Sequence, residues 1–186
     1  MESHTLPPIT SKDREQYHAW WQSLSDNWKM VFNQVMFNKG EITDDLTDEE
    51  LHDIWHSPAF RIAGPKAAFP NLSFEIGDLS GVKDLHRIET LVVINSGLTK
   101  VTDLKKMTNI KALFLYENNI KRLNGIEKLK NLVEIHFHEN PITSLEPLKG
   151  LTGLKKITAR DLKIKSLKGI GKKHVKNLKD FYVLPK

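Results

Sequence analysis

A chain of 186 residues, 39% hydrophobic and 27% charged, is long enough for one domain or one capped repeat array and too apolar for a disordered chain. It has no cysteine, which excludes disulfides, thiolate zinc sites and a cysteine nucleophile, and no run approaches the roughly 20 apolar residues of a membrane span. The net charge of +5 divides unevenly, since residues 1–79 hold 6 Lys+Arg against 13 Asp+Glu and residues 80–186 hold 22 against 10.

Residues 1–10 contain Glu2 and two prolines, lack the basic start and apolar run of a secretory leader, and read as a flexible lead. A chain that natively starts at Met1 is therefore expected in the cytoplasm, and one whose leader has been removed is expected to be secreted or at the surface. Residues 11–71 read as a helical cap: Trp20, Trp21, Leu24, Trp28, Val31, Phe32, Val35 and Met36 fall at helical spacings. Asp26 is the expected N-cap of one helix, and Thr47 that of another, with Glu50 at the capping-box spacing. Pro65 and Pro70 mark the exit from this segment. The acids from Asp44 to Asp53 lack the order and turn glycine of a calcium loop and read as a solvated helix start.

From Ile88 onward the apolar positions recur with a 22-residue step. Ile88, Leu91, Val93, Leu98, Val101, Leu104 and Met107 are followed in register by Ile110, Leu113, Leu115, Ile120, Leu123, Ile126 and Leu129. Two further units start at Leu132 and Leu154 without a slip. One unit cannot bury its apolar side alone, so stacked neighbours must supply the core. Alternation such as Leu113, Leu115 against Phe114, Tyr116 marks one short strand per unit.

The pattern LxxLxLxxNxI resembles the 22-residue class of leucine-rich repeats, as in bacterial internalins and the leucine-rich regulator of protein phosphatase 1. The resemblance covers about residues 72–184. It implies an α/β solenoid with short parallel strands on the concave face over residues 72–186, an α-helical N-terminal cap and a bacterial source. It implies also that the asparagines at the ninth position, Asn118 and Asn140, satisfy backbone groups with their side-chain amides. Ser96 and Leu162 stand where the pattern has Asn, so the ladder is expected to loosen at both flanks. The last unit runs two residues longer and leads to a terminal strand with Leu178, Phe181 and Val183, Tyr182 and Leu184 pointing outward.

Residues between the strand leucines then project from one face in columns about 4.8 Å apart. The first column holds Val92, Phe114, His136, Thr158 and Tyr182; the second Ile94, Tyr116, His138, Arg160 and Leu184; the third Asn95, Glu117, Glu139 and Asp161. Contiguous aromatics with a charged border have the composition of an interface centre, so this face is read as the site for a protein or peptide partner. Asn95, on the exposed column, is expected to tolerate alanine. Lys155 and Lys156, with most other lysines, are placed off the concave face, which disfavours nucleic acid, although a basic-surface nucleic-acid binder remains the alternative. His136 and His138 point the same way near Glu117 and Glu139, which leaves a metal-dependent hydrolase as a further alternative. No nucleophile, base and oxyanion constellation and no phosphate-binding glycine loop is legible, so a non-enzymatic monomer without cofactor or metal is expected.

Overall fold

The computed structural model describes residues 6–185, with side chains through Val183. Residues 1–5 of the expected flexible lead, Lys186 and the Leu184 side chain lie outside the described residues. Within that lead, Ile9 packs against the core and Thr10 caps the first helix.

Three helices open the chain: α1 (Ser11–Ser23), α2 (Asp26–Phe37) and α3 (Asp48–His56). Thr10 accepts from the Asp13 N–H, and Asp13 in return accepts from the Thr10 N–H at 2.9 Å. Thr47 and Glu50 make the same reciprocal pair at α3, as their spacing predicts. At α2 the cap is Ser25 instead of the expected Asp26, because Ser25 has the extended backbone a cap requires and Asp26 already lies in the first turn.

Six parallel strands follow in chain order: β1 (Ala59–Ala63), β2 (Thr90–Ile94), β3 (Ala112–Phe114), β4 (Glu134–His136), β5 (Lys156–Leu162) and β6 (Asp180–Pro185). The core-facing partners Leu91, Leu113, Ile135 and Ile157 keep the step of the sequence repeat, and the step from Ile157 to Phe181 is stretched by the extra pair of residues in the last unit. The first step, from Phe60 to Leu91, is longer than any other. The sheet therefore begins inside the stretch read as helical, where the repeat period cannot reveal it. Asn71 closes the free edge of β1 by accepting from Ala63 N–H and donating to the Arg61 carbonyl, at 2.7 and 2.8 Å.

One apolar core runs without a break from Tyr17 to Ile164. Trp20, Phe32 and Phe60 form its first rings, with centroids 5.3 Å apart at both steps, so cap and sheet share a single interior. Three 3-10 turns, at Thr102–Lys106, Ile126–Lys128 and Glu146–Leu148, stack on one another in a column of their own.

The asparagines bind the strand ends together. Asn118 accepts from the N–H groups of Ser96 and Leu98 and donates to the carbonyls of Val93, Leu115 and Tyr116. Asn140 accepts from Ile120 N–H and donates to Leu115, Phe137 and His138. Ser96 is buried, and its hydroxyl turns back to the Ile94 carbonyl, so that flank is closed and not loose. Leu162 is buried with no polar group to offer, and the ladder stops there.

Beyond it, the short helix α4 (Lys172–Asn177) starts at Gly171, whose N–H donates to Nδ1 of His174. That fixes the tautomer, and Nε2–H of the buried His174 donates to the Leu148 carbonyl at 2.9 Å.

Candidate functional site

The parallel register brings the between-leucine residues into line. Arg61, Val92, Phe114, His136, Thr158 and Tyr182 form the first column, extended by Arg61 beyond the expected set. Phe114 and His136 lie nearly parallel, with centroids 4.6 Å apart and planes at 8°; beside them Tyr116 and His138 stack at 4.5 Å and 10°. The four rings make a two-by-two shelf across β3 and β4. All four are half-buried, while Arg160, Glu139, Asp161 and Tyr182 are exposed.

Ile94 departs from the expected accessible position. It is buried against Ala63 and Ala67, because the loop after β1 folds over it, and so it supports the shelf from one side without being on it. Val92 and Tyr116 pack on that small cluster. The same loop carries Phe69, 80% exposed, whose carbonyl accepts from the Arg61 guanidinium at 2.7 Å.

A further column runs Thr90, Ala112, Glu134, Lys156 and Asp180, one alternation earlier on each strand. Lys156 consequently lies on the concave face and not off it, with its ammonium 3.1 Å from Glu134. Glu134 also accepts from Nε2 of His136 at 2.6 Å. The hydrogen bond from His136, followed by that from Lys156 and against the effect of burial, holds the Glu134 carboxyl below the usual carboxylate range. The alternation extended one step before His136 is the signal that points to both Glu134 and Lys156.

His138 has the opposite surroundings. Its Nδ1 is buried without a partner among the described residues. Burial, then the charges of Arg160 and His136, keep the ring below the ordinary histidine pKa, which favours the neutral form. Burial, then the charge of Glu117, likewise raises the Tyr116 phenol. The third column is set by backbone: Asn95, Glu117, Glu139 and Asp161 all adopt left-handed φ, from 47° to 57°. Asn95 is therefore a conformational residue, half-buried and not fully exposed, and its amide donates to Glu117 at 3.1 Å. Among the described residues no three His, Asp or Glu side chains converge as a metal site needs.

The stacked parallel strands, the 22-residue step and the buried asparagines define a leucine-rich-repeat fold. A family model described as leucine rich repeats, two copies, matches residues 108–150. No curated protein sequence matches the chain. Among solved structures it is similar to an internalin C2 from Listeria monocytogenes, at 20% identity and a TM-score of 0.52 over 84% of this chain and 82% of that one. An internalin F from the same organism matches at 19% and 0.53, over 99% of this chain and 53% of that one. A leucine-rich-repeat protein from Leptospira interrogans matches at 22% and 0.50, over 55% and 27%. The chain thus spans about half the length of the second of these and about a quarter of the third. These neighbours, all bacterial, agree with the expected α/β solenoid. Leucine-rich-repeat proteins generally serve as protein-interaction modules. No helix among the described residues is long and apolar enough to cross a membrane.

Proposed function

We propose that this chain is an interaction module that grips a protein or peptide partner with its concave face and has no catalytic role of its own. The observation that carries this reading is the four-ring shelf of Phe114, His136, Tyr116 and His138. Rings held parallel on neighbouring strands have little rotamer freedom left to lose, so covering them with a partner is a gain in apolar burial at small entropic cost. Val92 extends the apolar centre; Glu117, Glu139, Arg160, Asp161 and Tyr182 form its polar border, as in an interface with a dry middle and a wet rim. The run of carboxylates along one side opposes a phosphate backbone lying in the same face, which sets the nucleic-acid reading behind this one.

The test is a titration of a partner captured by the wild-type chain. Phe114→Ala/Tyr116→Ala is expected to weaken that partner by at least about 2 kcal/mol, or roughly 30-fold, with little change in the urea unfolding midpoint. Equal affinity in a folded double variant places the site elsewhere.

A further inference from the structure

Charge in the repeats follows the 22-residue step. Asp84 pairs with Lys106, Glu89 with Lys111, Glu134 with Lys156 and Glu146 with Lys168, at 3.2, 2.8, 3.1 and 2.8 Å. In each case the acid meets a lysine one repeat further on. The third column of the concave face departs from this rule, because Glu117, Glu139 and Asp161 follow one another at the same step, and among the described residues the one ion pair any of them makes is the long contact of Glu139 with Arg160. Among the described residues the Glu117 carboxylate accepts from the neutral Asn95 amide and makes no ion pair, Glu139 pairs with Arg160 at 4.0 Å, and Asp161 makes no ion pair. Like charges stacked at strand spacing repel, and this occurs in a half-chain otherwise rich in lysine. Two of the three are glutamates at φ 57° and 54°, where glycine would sit with less strain.

Beside this rim stands the Tyr116 and His138 stack. A partner meets the outward edges of these rings, since His138 stacks on Tyr116 and the Ile94 cluster also packs on it; a long cationic side chain can lay its apolar stem along those edges while its N–H groups reach a carboxylate. Resting on the reading of the concave face as the binding site, we infer that the partner presents a basic segment that crosses the rim of this stack, with the charge of at least one arginine or lysine between Glu117 and Glu139. These weakly compensated carboxylates are then the half of an ion-pair set that the partner completes. An acidic segment is repelled by the same rim, and a neutral one leaves its repulsion unrelieved.

Fluorescence anisotropy on the full chain with three labelled extended peptides tests this. The peptides are identical except that alternate positions are Arg, Gln or Glu. The Arg peptide is expected to bind, the Glu peptide not to bind, and raising salt from about 50 to about 300 mM to weaken the Arg complex. Glu117→Gln/Glu139→Gln/Asp161→Asn is expected to cost the Arg peptide at least about tenfold, roughly 1.4 kcal/mol or more. The same variant, free of peptide, is expected to unfold at higher urea than wild type at low salt; should the triple fold poorly, Glu139→Gln alone carries both measurements. Failure of the Arg peptide to bind, equal binding of the Glu peptide, affinity within twofold in the triple, or no gain in free stability overturns the inference. Binding of the Gln or Glu peptide that is lost in Phe114→Ala/Tyr116→Ala overturns only the preference for cations and leaves the face in place. Arg-peptide binding indifferent to both variants removes the face as well.

Discussion

Gly81 passes so close to the indole of Trp28 that a Cβ there would overlap the ring carbons. Trp28 belongs to α2 and is itself pinned by its Nε1–H to Asp78 at 3.1 Å, so the cap docks on the chain leading into β2 by a ring over bare backbone. Gly81→Ala is therefore expected to destabilise by about 2 to 3 kcal/mol through overpacking. Urea unfolding monitored by tryptophan fluorescence measures it, and an unchanged midpoint would mean that this contact is not made.

Asn118 and Asn140 each satisfy backbone groups of two units, and removing either amide leaves buried carbonyls and N–H groups unpaired. Alanine at either position is expected to cost about 1 to 3 kcal/mol. Position on an outward column alone would make Asn95→Ala silent, but the φ of 47° changes that expectation. A loss of about 1 kcal/mol is expected for alanine, and almost none for Asn95→Gly, which tolerates the left-handed backbone. Equal losses for Ala and Gly at position 95 would show that the backbone conformation is not what matters there.

Acid should weaken the fold before the carboxylates titrate. Burial, ahead of the neighbouring charges of His52 and Arg87, holds His56 below the ordinary histidine value, and burial and Arg160 do the same to His138. A depressed histidine pKa means that the unfolded chain binds the extra proton first. Stability is then complete above the unfolded value near 6.5, falls as pH drops below it, and levels off once the folded histidines are also protonated. Denaturation midpoints at pH 7.5, 6 and 5 are expected to decline, and the decline to be shallower in His138→Gln. A flat profile across this window contradicts the assigned environments.

Lys155 and Lys156 are neighbours in sequence with opposite expected effects. Lys156→Glu places a carboxylate one repeat on from Glu134, directly across the strand pair, and removes the cation that Glu134 now holds. It is expected to change partner binding several-fold on the proposed concave reading, toward tighter binding of a basic segment, and to disturb the Glu134 and His136 pair. Lys155→Glu lies outside that column and is expected to leave affinity within about twofold. The reverse order in a partner titration would move the interface to the lysine-rich loops.

The repeats are legible in the sequence because one chemical requirement, an apolar residue at fixed intervals, recurs from Ile88 to Leu154 without interruption. The shelf follows from that register by alternation alone. β1 escapes because the interval from Phe60 to Leu91 shares no period with the rest, and its strand lies among aromatics that a helical spacing also explains. Alternation puts Ile94 on the right face, yet its burial depends on a loop whose fold has no periodic signal. Lys156 is misplaced when each strand is started one alternation too late, and Asp26 when capping chemistry is weighed without the backbone a cap requires.

The Leu115 carbonyl accepts from Asn118 and Asn140 together, at 3.0 and 2.8 Å. Two successive turns are thereby fastened at a single atom, and a fluctuation that opens one must release the other. Among the described residues no such shared fastening lies past Leu162, where β6 is the last strand, pairs with β5 on one side, packs on the core through Val183, and leaves Phe181 and Tyr182 41% and 55% exposed. Amide exchange should therefore be graded along the array: slowest at Val93 to Leu115, where opening demands the global transition, and fastest in the final strand, which can peel away as a separate event. The molecule would thus wear from its C-terminal edge inward, with the four-ring shelf on the side that opens last.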